Sequence, residues 1–404
     1  MSDFAVRPIT DYERRPTFDL LLQALHSPLP TDDAWARFGD SWAAPGKFGA
    51  FAADRPIGIT SGFPTTIAVP GGASVSATAV DGVGVRADWT RRGVLTALMS
   101  AQLTDLAARG TTIACLHASE AVIYGRFGYG PAALSATVEV TRPARLRDGA
   151  AAGGAVRLLD PAEARDLIPV LYHRIGLHRP GMIARPEPWW PIAHDRRVTR
   201  DGGYRVAVHT GPDGDDGFAL FCSVDQTTPG GPDHGPLLEV RDLHGANPEA
   251  ITALWGFLLS IDLVATVRAS ARPADEPVAV LLADFRRART TALEDDLWVR
   301  LVDVPAALAA RAYGAAEPVV LDVADRLLPA NTGRYRVGPE GAERTDAPAD
   351  LQLDVDTLAM LYLGEWRATT LAHAGRITAA DPATLTRADR LFTTDLRPWC
   401  GTFF

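Results

Sequence analysis

The stretch from Val83 to Leu95 constrains the possible folds of this chain more than any other segment. It opens with the apolar run Val83-Gly84-Val85, which favours a β-strand, and it ends in residues with the spacing of a helix. Arg91, Arg92 and Gly93 stand at the junction between the two. The first N–H groups of a helix have no partner within the helix, and the positive end of the helix dipole lies there. The sequence therefore predicts an anion site, and a diphosphate is a common occupant of such sites.

The composition is that of a globular protein with several domains. The chain has 404 residues, of which 47% are hydrophobic and 22% charged, and this length suffices for two or three domains. We expect no membrane association, since no apolar run approaches the roughly 20 residues of a membrane span. The first residues lack the pattern of a signal peptide, which favours the cytoplasm. A net charge of −9 argues against nucleic-acid binding and is compatible with a cationic substrate.

No metal site or disulfide framework is expected. The three cysteines are far apart in the sequence and have no zinc-binding spacing, so we expect buried packing residues: Cys115, Cys222 and Cys400. His173 and His178 are five residues apart, a spacing that does not put two ligands on one helix face. The acidic run 213–217 lacks the later glutamate of a calcium loop and favours a hairpin turn.

The first part of the chain combines an antiparallel meander with a helix. A capping box at Thr10–Glu13 predicts a first helix, and short apolar runs between Lys47 and Val85 predict the meander. From Gly93 onward, apolar residues recur at helical spacing up to the C-terminal signal Arg109-Gly110. Next come a buried strand from Thr112 to His117, a short helix capped by Ser119, a strand from Ala132 to Val140 and a linker from Arg142 to Gly154.

The second part, residues 155–293, repeats this layout. Its third predicted strand, Leu237–Leu243, leads into a helix with Asn247 as N-cap and Pro248 at the first helical position. No arginine pair follows, so we interpret this junction as a structural repeat rather than a second active site. The third part begins near Leu297–Leu301 and ends in helices, with a polar turn region over 338–349.

Five motifs resemble those of one enzyme family. They are Val83 to Leu95; His117 to Glu120 with the run Tyr124-Gly125-Arg126-Phe127-Gly128-Tyr129-Gly130-Pro131; Leu297 to Arg300 with Val304 to Leu308; Tyr362 to Ala368; and the terminal Phe404. On these motifs the chain resembles, over nearly its whole length, the Eis (enhanced intracellular survival) family of GNAT N-acetyltransferases.

The resemblance implies an α/β fold of the α+β kind. Residues 1–145 would form an active N-terminal GNAT domain and residues 146–293 a degenerate second one. Residues 294–404 would form a domain similar to sterol carrier proteins that carries the catalytic C-terminus. A homo-oligomer, a hexamer built as a dimer of trimers, is the assembly that the resemblance implies.

The resemblance also implies acetyl-CoA as the acyl donor and no metal. The cofactor-binding residues would be Val83, Gly84 and Val85 on the strand and Arg91, Arg92, Gly93, Val94, Leu95 and Thr96 at the helix start. Backbone N–H groups and the arginines would hold the diphosphate, and the Val85 N–H would face the thioester oxygen. Thr90 and Leu95 depart from the residues usual in the family at those positions.

Two groups would move protons according to the resemblance. Tyr124 aligns with the general acid, and Tyr129 is its nearby rival. The α-carboxylate of Phe404 aligns with the general base. A chain end is usually disordered, but the ending from Trp399 to Phe404 is too apolar to remain in solvent.

The acceptor would be a small-molecule amine: an aminoglycoside, a lysine-like amine or an arylalkylamine. Phe403 replaces an acidic residue of the best-known pattern, so we expect an acceptor with an aromatic or apolar portion. His117 either binds near the substrate or is structural, and Trp35 either lines the pocket or belongs to the core. Two alternatives stay open: an acyltransferase for longer acyl chains and a non-enzymatic acyl-CoA or lipid carrier.

Overall fold

The computed structural model describes residues 3–43, 46–194, 203–224 and 236–404, which contain both strands and helices. The first elements are β1 (Ala5–Pro8), α1 (Arg14–Ala24), α2 (Asp32–Phe38), β2 (Phe48–Ala52), β3 (Arg55–Ala68), β4 (Ser74–Val85), α3 (Val94–Ala108), β5 (Ile113–Leu116), α4 (Ala121–Tyr124) and β6 (Gly130–Pro131). They are followed by β7 (Leu134–Thr141), β8 (Ala155–Leu159), α5 (Pro161–Ile175), α6 (Trp189–His194), β9 (Arg205–Gly211), β10 (Gly214–Val224), β11 (Leu237–Gly245), α7 (Pro248–Ser260), β12 (Thr266–Pro273), α8 (Val278–Leu281) and β13 (Ala288–Asp295). The last are β14 (Trp298–Leu301), α9 (Val304–Ala310), β15 (Val319–Ala324), β16 (Gly333–Gly338), β17 (Gly341–Arg344), β18 (Leu351–Asp354), α10 (Val355–Tyr362), α11 (Ala368–His373), β19 (Ile377–Ala379) and α12 (Pro382–Phe392).

These elements form two compact units. The first contains Met1–Ala133, Arg179–Ile192 and Leu297–Phe404, and the second contains Leu134–His178 and Ala193–Asp296. In the described residues, no helix is long and apolar enough to cross a membrane.

The main sheet of the first unit has the strand order β1-β2-β3-β4-β5-β14-β6. Strands β2 to β4 form the predicted antiparallel meander, with β3 as one continuous strand where two were expected, and β1 pairs antiparallel with β2. β14 lies between β5 and β6 and is antiparallel to both. Leu297–Leu301 was expected to open the third part of the chain, and its strand instead completes the first sheet. Four consecutive buried residues in β14 fit such a central position.

Helix α3 has the predicted ends and core face. Leu98, Met99, Leu103 and Leu106 are buried, and Gly110 follows the helix with a φ of 71°. This left-handed conformation suits glycine and satisfies the last carbonyl groups of the helix. The next short helix, α4, begins after Glu120 rather than after the predicted cap Ser119.

The second unit contains a sheet with the order β13-β7-β12-β11-β10-β9-β8. Strand β7 corresponds to the predicted strand Ala132–Val140, which was expected to belong to the first part of the chain. It pairs with β12 and β13 instead, because apolar alternation predicts a strand but not its partner. The acidic run 213–217 forms the predicted hairpin between β9 and β10.

A five-stranded sheet with the order β17-β16-β15-β18-β19 lies near the end of the chain. Its strand β17 falls within residues 338–349, which were expected to be only turn. A buried ion pair fixes this region to β14: Arg300 and Asp325 are 0% and 1% exposed and 2.7 Å apart. Asn331 also donates to Asp325, at 2.9 Å. A buried pair of this kind is costly to break from one side.

Candidate active site

The main sheet of the first unit opens between β4 and β5. The two strands run parallel and pair only at Ala77, Thr78 and Ala79. Beyond Ala79, β4 continues to Val85, whereas β5 ends at Leu116. Among the residues that the structure describes, the edge of β4 that faces away from β3 therefore has no strand partner over its last residues. An extended ligand with amide groups could bind this edge as an additional strand would.

Val83 and Val85 direct their backbone groups toward that opening. The Arg86 N–H donates to the Ile57 carbonyl on β3 at 2.9 Å, and the antiparallel register pairs Val85 with Gly58 and Val83 with Thr60. In an antiparallel ladder, the residues between hydrogen-bonded positions point their N–H and C=O groups the other way. The backbone geometry is therefore compatible with the predicted role of these two residues in binding the cofactor.

The glycine at position 84 is explained by packing within the protein rather than by the predicted contact with the cofactor. A Cβ atom at this position would lie 3.0 Å from Cβ of Ala24 and 3.3 Å from the side chain of Leu21, both on α1. Close packing of α1 on β4 therefore accounts for the glycine without any ligand.

The N-terminus of α3 has free N–H groups and cationic side chains. The Ala97 N–H is the first to donate within the helix turn, to the Gly93 carbonyl at 3.0 Å, and no side chain caps the helix. Gly93 has a φ of 83°, and an added Cβ would meet no protein atom within 4 Å. Arg91 and Arg92 are exposed, and neither forms an ion pair with the residues that the structure describes. Together these groups can hold a diphosphate.

The two departures from the family pattern leave this helix start open. The Thr90 hydroxyl donates to the Ala87 carbonyl at 2.9 Å and so closes the preceding turn. Leu95 packs into the apolar cluster that also contains Met99 and Leu103. Neither side chain is needed for an anion at this site, and neither blocks one.

Within the second unit, the start of α7 is already capped. The Asn247 side chain accepts a hydrogen bond from the Ala250 N–H at 2.8 Å, and Pro248 contributes no N–H group. The Asn247 amide in turn donates to the Asp216 carboxylate at 2.8 Å. A carboxylate next to the helix start disfavours a second anion there, which agrees with the predicted structural repeat.

Tyr124 lies beside the opening of the sheet. Its ring belongs to the apolar cluster that contains Leu116 at the end of β5, and Val83 packs against the same cluster. Burial, with a further contribution from Glu120, raises the pKa of Tyr124 to about 12. The rival Tyr129 is completely buried, and its hydroxyl has no partner among the described residues. Tyr124 retains 6% exposure and is the better placed of the two to reach a ligand.

The C-terminus docks at the end of β5. The Thr402 carbonyl lies 2.9 Å from Nε2 of His117, which must donate because a carbonyl only accepts. The ring of Phe404 lies 4.7 Å from the imidazole of His117 and 5.8 Å from the ring of Phe63 on β3. The chain end thus packs against His117 and Phe63, as its apolar residues indicated, whereas the contact of His117 with the chain end was not predicted.

Phe403 and Trp35 have contrasting environments. Phe403 is 58% exposed and its ring lies 5.1 Å from the imidazole of His117, so it can contact a ligand. Trp35 lies on α2, and the centre of its ring is 5.2 Å from that of Phe18 on α1 and 5.7 Å from that of Phe38 on α2. Core packing accounts for Trp35.

Sequence reasoning missed Arg185, which donates to both Gly401 and Thr402. The described residues contain no group of three or more His, Cys, Asp or Glu placed to hold a metal ion. All three cysteines are buried and unbridged, as expected.

Comparison with known proteins identifies the family. Residues 5–132 and 181–301 match acetyltransferase (GNAT) domains, and residues 304–401 match a sterol carrier protein domain. The N-acetyltransferase Eis of Mycobacterium tuberculosis is 35% identical over 362 residues, which cover 86% of each chain. This chain belongs to the Eis family of GNAT N-acetyltransferases. Membership of this family supports acetyl transfer to amines and thus an enzyme.

Other members and structures agree with this assignment. An uncharacterized N-acetyltransferase of Streptomyces coelicolor is 39% identical over 357 residues, or 86% of each chain. The crystal structure of Eis1 from Mycobacterium abscessus superposes with a TM-score of 0.89 at 35% identity and covers 99% of this chain and 100% of that one. A GCN5-related N-acetyltransferase from Anabaena variabilis shares the fold, with a TM-score of 0.84 at 20% identity over 99% and 100% of the two chains.

Proposed function

We propose that this Eis-family protein transfers the acetyl group of acetyl-CoA to a primary amine of a small molecule at the opening between β4 and β5. The observation that carries the proposal is the convergence of three features in one unit. These are the unpaired edge of β4, the uncapped start of α3, and the docked C-terminus next to His117.

The start of α3 and the edge of β4 bind different parts of the donor, acetyl-CoA. The N–H groups of Val94, Leu95 and Thr96 and the guanidinium groups of Arg91 and Arg92 bind the diphosphate. The backbone of Val83 and Val85 binds the pantetheine amides, as a neighbouring strand would. Bound acetyl-CoA supplies the acetyl group as a thioester.

Three groups of the chain then assist the transfer: two act on the thioester, and the third, described below, acts on the amine. The Val85 N–H donates to the thioester oxygen, on which negative charge develops. The Tyr124 hydroxyl donates its proton to the departing thiolate. Because its pKa is raised to about 12, this hydroxyl remains protonated at neutral pH.

The α-carboxylate of Phe404 accepts the proton of the substrate ammonium, directly or through a water molecule. An α-carboxyl group has a pKa of about 3.5 in water, so it is a weak base there. Desolvation disfavours the charged form and raises the basicity of a carboxylate. The aromatic rings of Phe63 and Phe404 and the imidazole of His117 lie at this chain end and can exclude water from it.

The acceptor that fits this site is an amine with an aromatic or apolar portion. The exposed ring of Phe403 next to His117 offers a flat apolar surface, where an acidic side chain would instead attract a polycation. A panel from aminoglycosides to arylalkylamines, assayed by CoA release, tests this point. Equal or better turnover of the polycations would contradict it.

The role of Tyr124 is tested by a matched pair of variants. We expect Tyr124→Phe to lower kcat by about 10²-fold or more, since it removes the proton donor. Tyr129→Phe removes a neighbouring hydroxyl that has no partner in the described part of the chain, so kcat should stay near the wild-type value. The reverse result would assign the acid to Tyr129.

We further propose a homo-hexamer, arranged as a dimer of trimers. Mass measurement of the native protein in dilute solution tests this assembly, and a monomer at assay concentrations would contradict it.

A further inference from the structure

Residues 179–190, which we call the strap, bind along the end of β3 in the first unit. The Ala68 N–H donates to Met182 and the Gly181 N–H donates to the Ala68 carbonyl, both at 2.9 Å. The Ala184 N–H donates to Thr66 at the same distance. The strap thus has a fixed register on the strand that also carries Phe63.

The strap also holds residues 397–404, which we call the tail. The Trp399 N–H donates to the Pro180 carbonyl at 2.8 Å, and the Arg179 guanidinium donates to the Arg397 carbonyl at 3.3 Å. Nearer the chain end, Arg185 donates from Nε to the Thr402 hydroxyl at 3.0 Å and from Nη2 to the Gly401 carbonyl at 2.7 Å. The tail is therefore attached from its beginning to within two residues of the terminal carboxylate.

Arg185 is unusually well fixed for a long cationic side chain. It is 7% exposed, and its guanidinium lies 4.8 Å from the ring of Trp189 and 5.5 Å from the ring of Trp190. The indole N–H of Trp190 donates to the Arg185 carbonyl at 3.2 Å. Stacking and a planar set of donors restrict the guanidinium to one orientation, which an ammonium group would not reproduce.

We propose that Arg185 is a positioning residue for the reaction: by holding Gly401 and Thr402, it sets where the terminal carboxylate of Phe404 lies relative to the amine. This inference rests on the proposed function, in which that carboxylate is the base. Arg185 and His117 together bind both sides of Thr402, one at its hydroxyl and the other at its carbonyl. Phe404 lies two residues beyond this doubly held position, so little backbone freedom remains at its carboxylate.

A loss of rate is expected because proton transfer depends steeply on the distance between the carboxylate and the amine. A displacement of about 1 Å at a reacting group can reduce the rate by about 10²-fold. An untethered chain end would move by more than that, since termini without such contacts are disordered. Donor binding uses other residues, so it should be unaffected.

The first test compares two buried arginines. Arg185→Lys keeps the charge but loses the two-point contact with the tail. Arg311→Lys is the matched control, because Arg311 is also buried, stacks on aromatic rings and donates to the carbonyls of Tyr362 and Phe392. We expect Arg185→Lys to lower kcat by about 10- to 100-fold with the KM for acetyl-CoA within about twofold. The control should lower the melting temperature but leave kcat within about twofold.

A second variant removes the same contact from the other side. Thr402→Val deletes the hydroxyl that accepts from Arg185 while nearly preserving the shape of this buried side chain. It should lower kcat in the same direction, and the double variant should be no worse than Arg185→Lys alone, because the two share one interaction. Independent multiplication of the two effects would overturn the proposal.

An extended chain separates this inference from the proposed function. Adding one glycine after Phe404 moves the carboxylate and should lower kcat, and Arg185→Lys in that background should cause little further loss. A normal rate for the extended chain alone would remove the carboxylate from the mechanism, and the role of Arg185 with it. A slow extended chain combined with equal losses in the Arg185 and Arg311 variants would overturn only the role of Arg185.

Discussion

Replacing Gly93 by alanine tests the anion site at the start of α3. With a φ of 83° the residue is in the left-handed region, where a side chain costs about 1 kcal/mol. Apart from its two chain neighbours, no described residue has an atom within 4 Å of the added Cβ, so the substitution creates no clash with them. The methyl group would instead occupy the space that we assign to the diphosphate.

Gly110, at the opposite end of the same helix, provides the control. It has a φ of 71°, and an added Cβ there also meets no atom within 4 Å. Both alanine variants should therefore lose about 1 kcal/mol of unfolding free energy. Only Gly93→Ala should raise the KM for acetyl-CoA, by about tenfold, which corresponds to about 1.4 kcal/mol of binding.

The assay measures thiol release from acetyl-CoA at saturating amine, together with urea unfolding of each variant. A KM for acetyl-CoA that changes equally in both variants would attribute the effect to backbone strain. An unchanged KM in Gly93→Ala would show that the diphosphate does not lie against this turn. Either result would refute the assignment of the site.

Three further predictions concern charge and burial. Arg91→Gln and Arg92→Gln should each raise the KM for acetyl-CoA several-fold with kcat unchanged. This effect should shrink in high salt because both side chains are exposed, and a salt-independent effect would contradict an ionic contact. Because burial raises the pKa of Tyr124 to about 12, its hydroxyl stays protonated and kcat/KM should not fall between pH 8 and about 10.5. A decline in this range that disappears in Tyr124→Phe would contradict the raised pKa of this general acid. Asp325→Ala leaves Arg300 buried without its carboxylate partner and should lower the free energy of unfolding by about 3 to 5 kcal/mol. Asp148→Ala removes one partner of an exposed ion pair and should leave the free energy of unfolding unchanged. Equal effects of the two variants in urea unfolding would contradict the importance of burial.

Local signals predicted the elements that build the candidate site. The stripe of α3, its glycine end at Gly110 and the N-cap Asn247 each depend on residues close in sequence, and the structure confirms all three. The meander that leads to Val85 is also confirmed, because alternation and turn residues are local properties. The resemblance to the Eis family then indicated Tyr124 and Phe404, which neither composition nor spacing could assign a role.

Long-range pairing was not predictable in the same way. β7 and β14 have the alternation or burial of strands, but their partners are far away in sequence, and each joins a sheet other than the one expected. Arg185 was missed for the same reason, since its contacts with the tail span more than 200 residues. The apolar ending predicted that the tail is buried, and Trp399 and Cys400 are, whereas Phe403 next to the terminus is exposed.

The central claim is that the terminal carboxylate of Phe404 accepts the proton of the amine. The last five residues begin with Cys400, so residues 1–399 can be joined chemically to Cys-Gly-Thr-Phe-Phe as either the free acid or the carboxamide. The two products differ only in the last group, which is a charged carboxylate in one and a neutral amide without basicity in the other. We predict that the carboxamide lowers kcat/KM for the amine by about 10²-fold or more, with the KM for acetyl-CoA unchanged. Equal rates for the acid and the amide would contradict the account.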